Sequence, residues 1–262
     1  MSGMRNRAAS NKPKRKNHAL RRLACYAFAI AFVLAGWEIT ALILDTPALP
    51  TPAATVPVFF SYASEMLPDF LTSLYRVLAS LLIGVALALP IGLALGRCPK
   101  ADALFAPVLY ILYPLPKIVI LPILLVLLGL GGAPKIALIA LTIFFQVIVV
   151  MRDAAKAIPQ NTIESVRSLG CTRIDMLRHV TIPATLPDLF TTLRVSSGIA
   201  IAVLFFAEAI AGSTGLGYFI MESWAMISYT RMFAGIIALA ILGVLIYEAF
   251  DLVERRVTRH RR

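Results

Sequence analysis

The chain has 262 residues, 59% of them hydrophobic and 15% charged, with a formal net charge of +11 and a mean hydropathy of +0.83. Soluble globular domains carry about 25% charged residues and less apolar bulk, so a soluble enzyme or binding module is excluded. The basic excess is confined to short segments between apolar runs, a distribution that follows membrane topology and not nucleic-acid binding.

Residues 1–22 are rich in Lys, Arg and Asn with little to bury, which predicts a disordered basic tail. Leu23 to Leu44 is the first of six apolar runs. It exceeds the roughly 7 to 15 residues of a signal-peptide core, so it reads as a retained anchor. Residues 45–71 form the next link, punctuated by Leu49-Pro50-Thr51-Pro52. Val56, Phe59, Phe60, Ala63 and Leu67 then recur at helical spacing and predict a short interfacial helix.

The second run, Leu74 to Gly96, carries Gly84, Ala88, Gly92 and Gly96 at intervals of four, a smooth ridge on which another helix can approach closely. Pro90 beside that ridge is expected to bend it. The third run, Leu104 to Leu130, contains Pro107, Pro114, Pro116 and Pro122 together with Lys117. Each internal proline removes a backbone hydrogen bond, which predicts a break around Tyr113-Pro114-Leu115-Pro116-Lys117. Broken helices at membrane depth occur where they line a cavity or are buried in protein.

Lys135 to Met151, Leu189 to Ala211 and Met232 to Phe250 complete the set. Apolar runs of about 20 residues cross about 30 Å of hydrocarbon. Their backbone must bond to itself there, so the fold class is an all-α polytopic membrane protein with about six transmembrane helices. No direct or inverted internal repeat of the secondary-transporter kind is present. Twenty of the 25 Lys and Arg lie in residues 1–22, 96–102, 152–178 and the tail 254–262, whereas residues 45–71 hold none. Alternating spans put those four segments on one side, and the positive-inside rule makes that side, with both termini, cytoplasmic. The segment 45–71 is then an external loop.

Cys25, Cys98 and Cys171 have no metal or redox spacing, and His18, His179 and His260 are far apart in sequence, so no metal site is signalled. Lys117 costs about 2.5 to 3.5 kcal/mol at mid-membrane, so it should face a partner or a watery path. An anionic substrate, a carboxylate and snorkelling all satisfy that condition. Glu208 lies one turn before the cluster Gly212-Ser213-Thr214-Gly215-Leu216-Gly217 and is placed to fix that turn, or an external gate, by bonding backbone amides; Glu38 has similar depth in the first run. Arg194, Ser196 and Ser197 are candidates to line a pore, with lipid phosphates an alternative for Arg194.

The polar insert within residues 158–187 carries the strongest signal. Pro159 suits a helix start, and Ile163, Val166 and Leu169 form an apolar stripe before Gly170, where a left-handed stop needs no side chain. Thr172 and Asp175 match a capping box, after which Ile174, Leu177 and Val180 form a second stripe. Two short amphipathic helices are therefore expected to meet at a glycine elbow. Pro183 and Pro187 are expected to end the insert and redirect the chain into the fifth span.

Glu164, Ser165, Val166, Gly170, Val180, Ile182 and Pro183 resemble the cytoplasmic motif of ABC importer permeases. That motif has a Glu, two small residues, a Gly after three more, then nine residues before Ile-x-Leu-Pro. Here Ser165 and Val166 stand for its usual alanines, and Val180 and Ile182 for its Ile and Leu. Leu49-Pro50-Thr51-Pro52, Ser73-Leu74-Tyr75-Arg76, Pro114-Leu115-Pro116-Lys117 with Leu121-Pro122, and Gly215-Leu216-Gly217-Tyr218 resemble, in order, the permeases for nitrate, sulfonates and taurine.

The resemblance implies a type I ABC importer permease fold with a cytoplasmic coupling helix. It implies further that Glu164 contacts a cytoplasmic ABC ATPase dimer, that Gly170 permits the turn, and that Ile163, Val166 and Leu169, with Ile174 and Leu177, supply the apolar face. An extracytoplasmic solute-binding protein and a second permease subunit, as a homodimer, complete the implied assembly. The implied cargo is a small anion, with a vitamin precursor as the alternative within the family. The chain has no G-x-x-x-x-G-K-[ST] loop, so ATP and Mg are expected in the partner ATPase. It also lacks G-x-S-x-G and H-E-x-x-H, so it is not expected to be an enzyme. A self-contained ion-coupled carrier is the competing reading.

Overall fold

The computed structural model describes residues 14–257, with side chains described from 24 to 256. Helix α1 (Lys14–Leu44) begins inside the stretch expected to be disordered; residues 1–13 of that stretch lie outside the described residues. From Ala24 onward nearly all of α1 is exposed, as a lipid-facing anchor should be. It is held at its far end by Trp37, which stacks on Phe233 at 5.3 Å and donates to the Pro50 carbonyl at 2.9 Å.

The interfacial helix expected over Val56 to Leu67 is divided. Helix α2 (Pro52–Ser61) starts with the Thr51 hydroxyl accepting from the Ala54 amide, and Pro52 fills its first turn. Tyr62, at φ −91° and ψ 0°, closes α2 and opens α3 (Ala63–Arg97), so Leu67 belongs to the second span and not to an interfacial helix. Helix α3 continues through Pro68 and Pro90 as one unbroken element.

The core of the bundle is α3 against α6 (Ala133–Lys156), and the small-residue ridge sits in that contact. A Cβ on Gly84 would stand 2.8 Å from the Ala140 carbonyl oxygen, and one on Gly92 2.8 Å from that of Ile148. A Cβ on Gly96 would overlap the Arg152 carbonyl, and Ala88 is fully buried. The two backbones therefore touch along three turns. Val77, Leu81, Ile139, Ile143 and Val147 fill the seam.

The third run breaks where its prolines predict. Helix α4 (Pro99–Leu112) ends at Tyr113, a 3-10 turn spans Lys117–Ile120, and α5 (Leu121–Leu128) leaves at 86° to α4. Beyond α6 come two short helices, α7 (Gln160–Ser168) and α8 (Arg173–Met176), a π-helical turn Leu177–Thr181, and α9 (Ile182–Ala211). Helices α10 (Leu216–Ala225) and α11 (Tyr229–Val257) finish the chain. Among the described residues five helices are long and apolar enough to cross a membrane, and six if the bent α4–α5 pair counts as one.

Pro183 and Pro187 do not end the polar insert. The chain is helical from Arg173 to Ala211, 39 residues, because the π turn widens the ladder just before Pro183 and places that proline in the first turn of α9. Pro183 lacks the amide that would continue the ladder, and the widened π turn before it accommodates that gap.

Candidate functional site

At one end of the bundle α7 and α8 form the elbow. Gly170 sits at φ +83°, a left-handed conformation that a side chain resists, and its amide donates to the Arg167 carbonyl at 3.0 Å. The capping box is present: the Asp175 amide donates to the Thr172 hydroxyl at 3.2 Å, and the Thr172 amide to the Asp175 carboxylate at 3.0 Å. Pro159 occupies the N-cap of α7, one place before the expected first turn.

Glu164 is exposed and accepts from the Gln160 amide group at 3.1 Å, while Ser165 donates to the Asn161 carbonyl at 2.8 Å. The apolar face expected to look outward is split. Ile163 is buried within its own chain, so it is unavailable to fill a groove on another. Val166, Val180 and Ile182 are half-buried, whereas Leu169 is 81% exposed, Ile174 75%, and Leu177 and Pro183 are exposed as well. An apolar patch on a short, charged, capped elbow is surface that water does not favour.

At the other end α9 delivers Glu208, fully buried, to the glycine turn. Its carboxylate accepts from the Arg76 guanidinium at 2.6 Å, the Ser73 hydroxyl at 2.9 Å and the Gly217 amide at 2.9 Å. Arg76 also donates to the Thr214 carbonyl at 2.8 Å, and the Asp69 carboxylate accepts from the Gly215 amide at 2.6 Å. Gly215, at φ +104°, lies so close to Glu208 that a Cβ would overlap the carboxylate. Glu208 thus clamps the turn onto α3 through a backbone amide, as expected. Its cationic partner Arg76 stands in the Ser73-Leu74-Tyr75-Arg76 run, where no sequence signal pairs it with Glu208.

Between these ends, the α4–α5 break holds Lys117. Its ammonium donates to the Leu112 and Tyr113 carbonyls at the end of α4, the first of which also accepts from the Leu115 amide at 3.4 Å. It also lies over the Phe145 ring at 4.7 Å. Arg194 points elsewhere, to Asp251 at 3.2 Å and Glu254 at 3.3 Å on α11, and Ser197 is buried and donates to the Arg194 carbonyl. Lys117 and Arg194 therefore do not share a site. Sequence reasoning also missed Asp102, which joins α4 to Arg152 and Lys156 of α6.

The fold is found in solved structures. The MetNI methionine ABC transporter in inward-facing conformations shares the fold, with a TM-score of 0.63 and 24% identity over 74% of this chain and 96% of that one. The fold is that of type I ABC importer permeases. Residues 80–259 match the binding-protein-dependent transport system inner membrane component family, and the chain belongs to it. It is a multi-pass inner-membrane protein. Taurine transport system permease protein TauC of Escherichia coli is 29% identical over 85% of this chain and 84% of its own length. Putative aliphatic sulfonates transport permease protein SsuC of Bacillus subtilis is 29% identical over 97% and 92%.

Proposed function

We propose that this chain forms the translocation path of an ATP-driven importer for a small aliphatic sulfonate of the taurine type. The elbow is the seat of a cytoplasmic ATPase, which supplies the energy that this chain's own residues do not. The observation that carries the reading is mechanical: one helix runs from the exposed elbow at Arg173 to the buried clamp at Glu208. At about 1.5 Å per residue it spans the membrane with room to spare. A push at Leu169, Ile174 and Leu177 is carried along it to the glycine turn at the opposite end. The charge asymmetry supports a cytoplasmic elbow and an external clamp, where a solute-binding protein delivers the cargo. Two copies of the chain enclose the path.

The sulfonate assignment rests on the names of the relatives, which share nearly the whole chain with this one. Proteoliposomes test the reading by omission. Uptake of taurine or ethanesulfonate is expected only with permease, ATPase, binding protein and ATP together, and loss of any one should abolish it. Uptake by the permease alone on a proton or sodium gradient would replace this reading with that of an ion-coupled carrier.

A further inference from the structure

The basic residues inside the bundle are not alike. Arg76 pairs with Glu208, Arg152 with Asp102, Arg194 with Asp251, and Arg231 with Glu65 and Glu222. Among the described residues, Lys117 and Lys135 make no ion pair with a carboxylate. Lys135 is 2% exposed and is spent on the Gly131 carbonyl at 2.8 Å. Lys117 is half-exposed and borders a cavity of about 390 Å³.

That cavity lies between the α4–α5 break, α6 and α9. Its walls are largely apolar, with Phe145, Ile199, Val203 and Phe206 among them, and Gln146 adds a polar group. The Gln146 Oε1 is buried and accepts no hydrogen bond. Two protons of the Lys117 ammonium go to the Leu112 and Tyr113 carbonyls, so one remains. Carbonyl dipoles and the Phe145 ring hold the cation in place but leave its charge uncancelled. A fixed, uncompensated cation beside an apolar hollow at membrane depth is complementary to an amphiphilic anion.

We propose that this cavity is a transit site in which the acid group of a small aliphatic sulfonate meets Lys117 and its alkyl part lies against Phe145, Val203 and Phe206. The inference rests on the importer reading above and adds to it the place where the cargo pauses. The proline break then has a role in recognition, since Pro116 lacks the amide that would continue the helix onto the Leu112 carbonyl, and the chain turns there so that the Leu112 and Tyr113 carbonyls aim the ammonium. An inorganic anion would leave the apolar wall unused.

The test uses Ala202→Cys, an exposed position on the cavity wall, in a chain with Cys25, Cys98 and Cys171 replaced by serine and assembled with its partners in phosphatidylcholine vesicles. Ethanesulfonate at ten times its half-effect concentration is expected to slow modification by a small neutral thiol reagent about tenfold, by simple occupancy. Ethanesulfonamide, its uncharged analogue, is expected to give no protection. Adding Lys117→Gln should remove the protection and leave the unprotected rate as it was, whereas Lys117→Arg should keep it. Equal protection by the sulfonamide, equal protection with Lys117→Gln, or none in the parent would overturn the site. Loss of the ATPase requirement in the omission experiment would instead overturn the importer reading, whatever the labelling shows.

Discussion

Glu208→Ala is expected to lower folding stability by about 3 to 5 kcal/mol, because it strands the Arg76 guanidinium, 5% exposed, without its counter-charge. The Ser73 hydroxyl and the Gly217 amide lose an acceptor in the same step. A surface pair would matter far less, about 0 to 1 kcal/mol, since water would take over both partners. Unfolding of the purified permease in detergent measures the loss. Removing both charges with Arg76→Leu and Glu208→Leu is expected to cost less than the sum of the single changes, by a coupling of about 0.5 to 3 kcal/mol. Full additivity, or a Glu208→Ala chain as stable as its parent, would mean the clamp is not an ion pair in the membrane. Function should fail with stability, because the glycine turn is held to α3 by this carboxylate and by Asp69.

The second large effect is expected at Gly170. A left-handed residue with a side chain costs about 1 to 2 kcal/mol, so Gly170→Ala should reduce coupled uptake by roughly tenfold. Gly170→Pro is more severe. Proline fixes φ near −65° and lacks the amide that donates to the Arg167 carbonyl, so the elbow cannot close. The remainder of the bundle packs without this turn, and membrane insertion should be normal. Glu164→Lys reverses an exposed charge without touching the fold and is expected to impair uptake with stability unchanged. Insertion at parental level combined with parental uptake in either Gly170→Pro or Glu164→Lys would remove the elbow from the mechanism.

Legibility in the sequence follows the range of the forces involved. The broken third span, the glycine ridge and the elbow all arise from local rules: prolines that delete hydrogen bonds, small residues spaced by four, a glycine after an apolar stripe. The clamp does not. Arg76 and Glu208 are 132 residues apart, and Asp102 and Arg152 are 50 apart, so no local pattern pairs them. Pro183 departs from the usual rule, that proline ends a helix, because a π turn precedes it and no local signal announces such a turn. Ile163 shows a different limit. Period and polarity reveal that a face is apolar, but whether its own chain or another protein covers it depends on how the elbow lies against the bundle.

Cysteine cross-linking in native membranes tests the central claim most directly. With the three natural cysteines replaced, Leu169→Cys or Ile174→Cys is expected to form an adduct with the ATPase and to be shielded from reagents that reach only the outer face of the membrane. Ile163→Cys, buried against its own chain, should form none. Labelling of Leu169→Cys from the outside, with no ATPase adduct, would contradict both the orientation and the coupling.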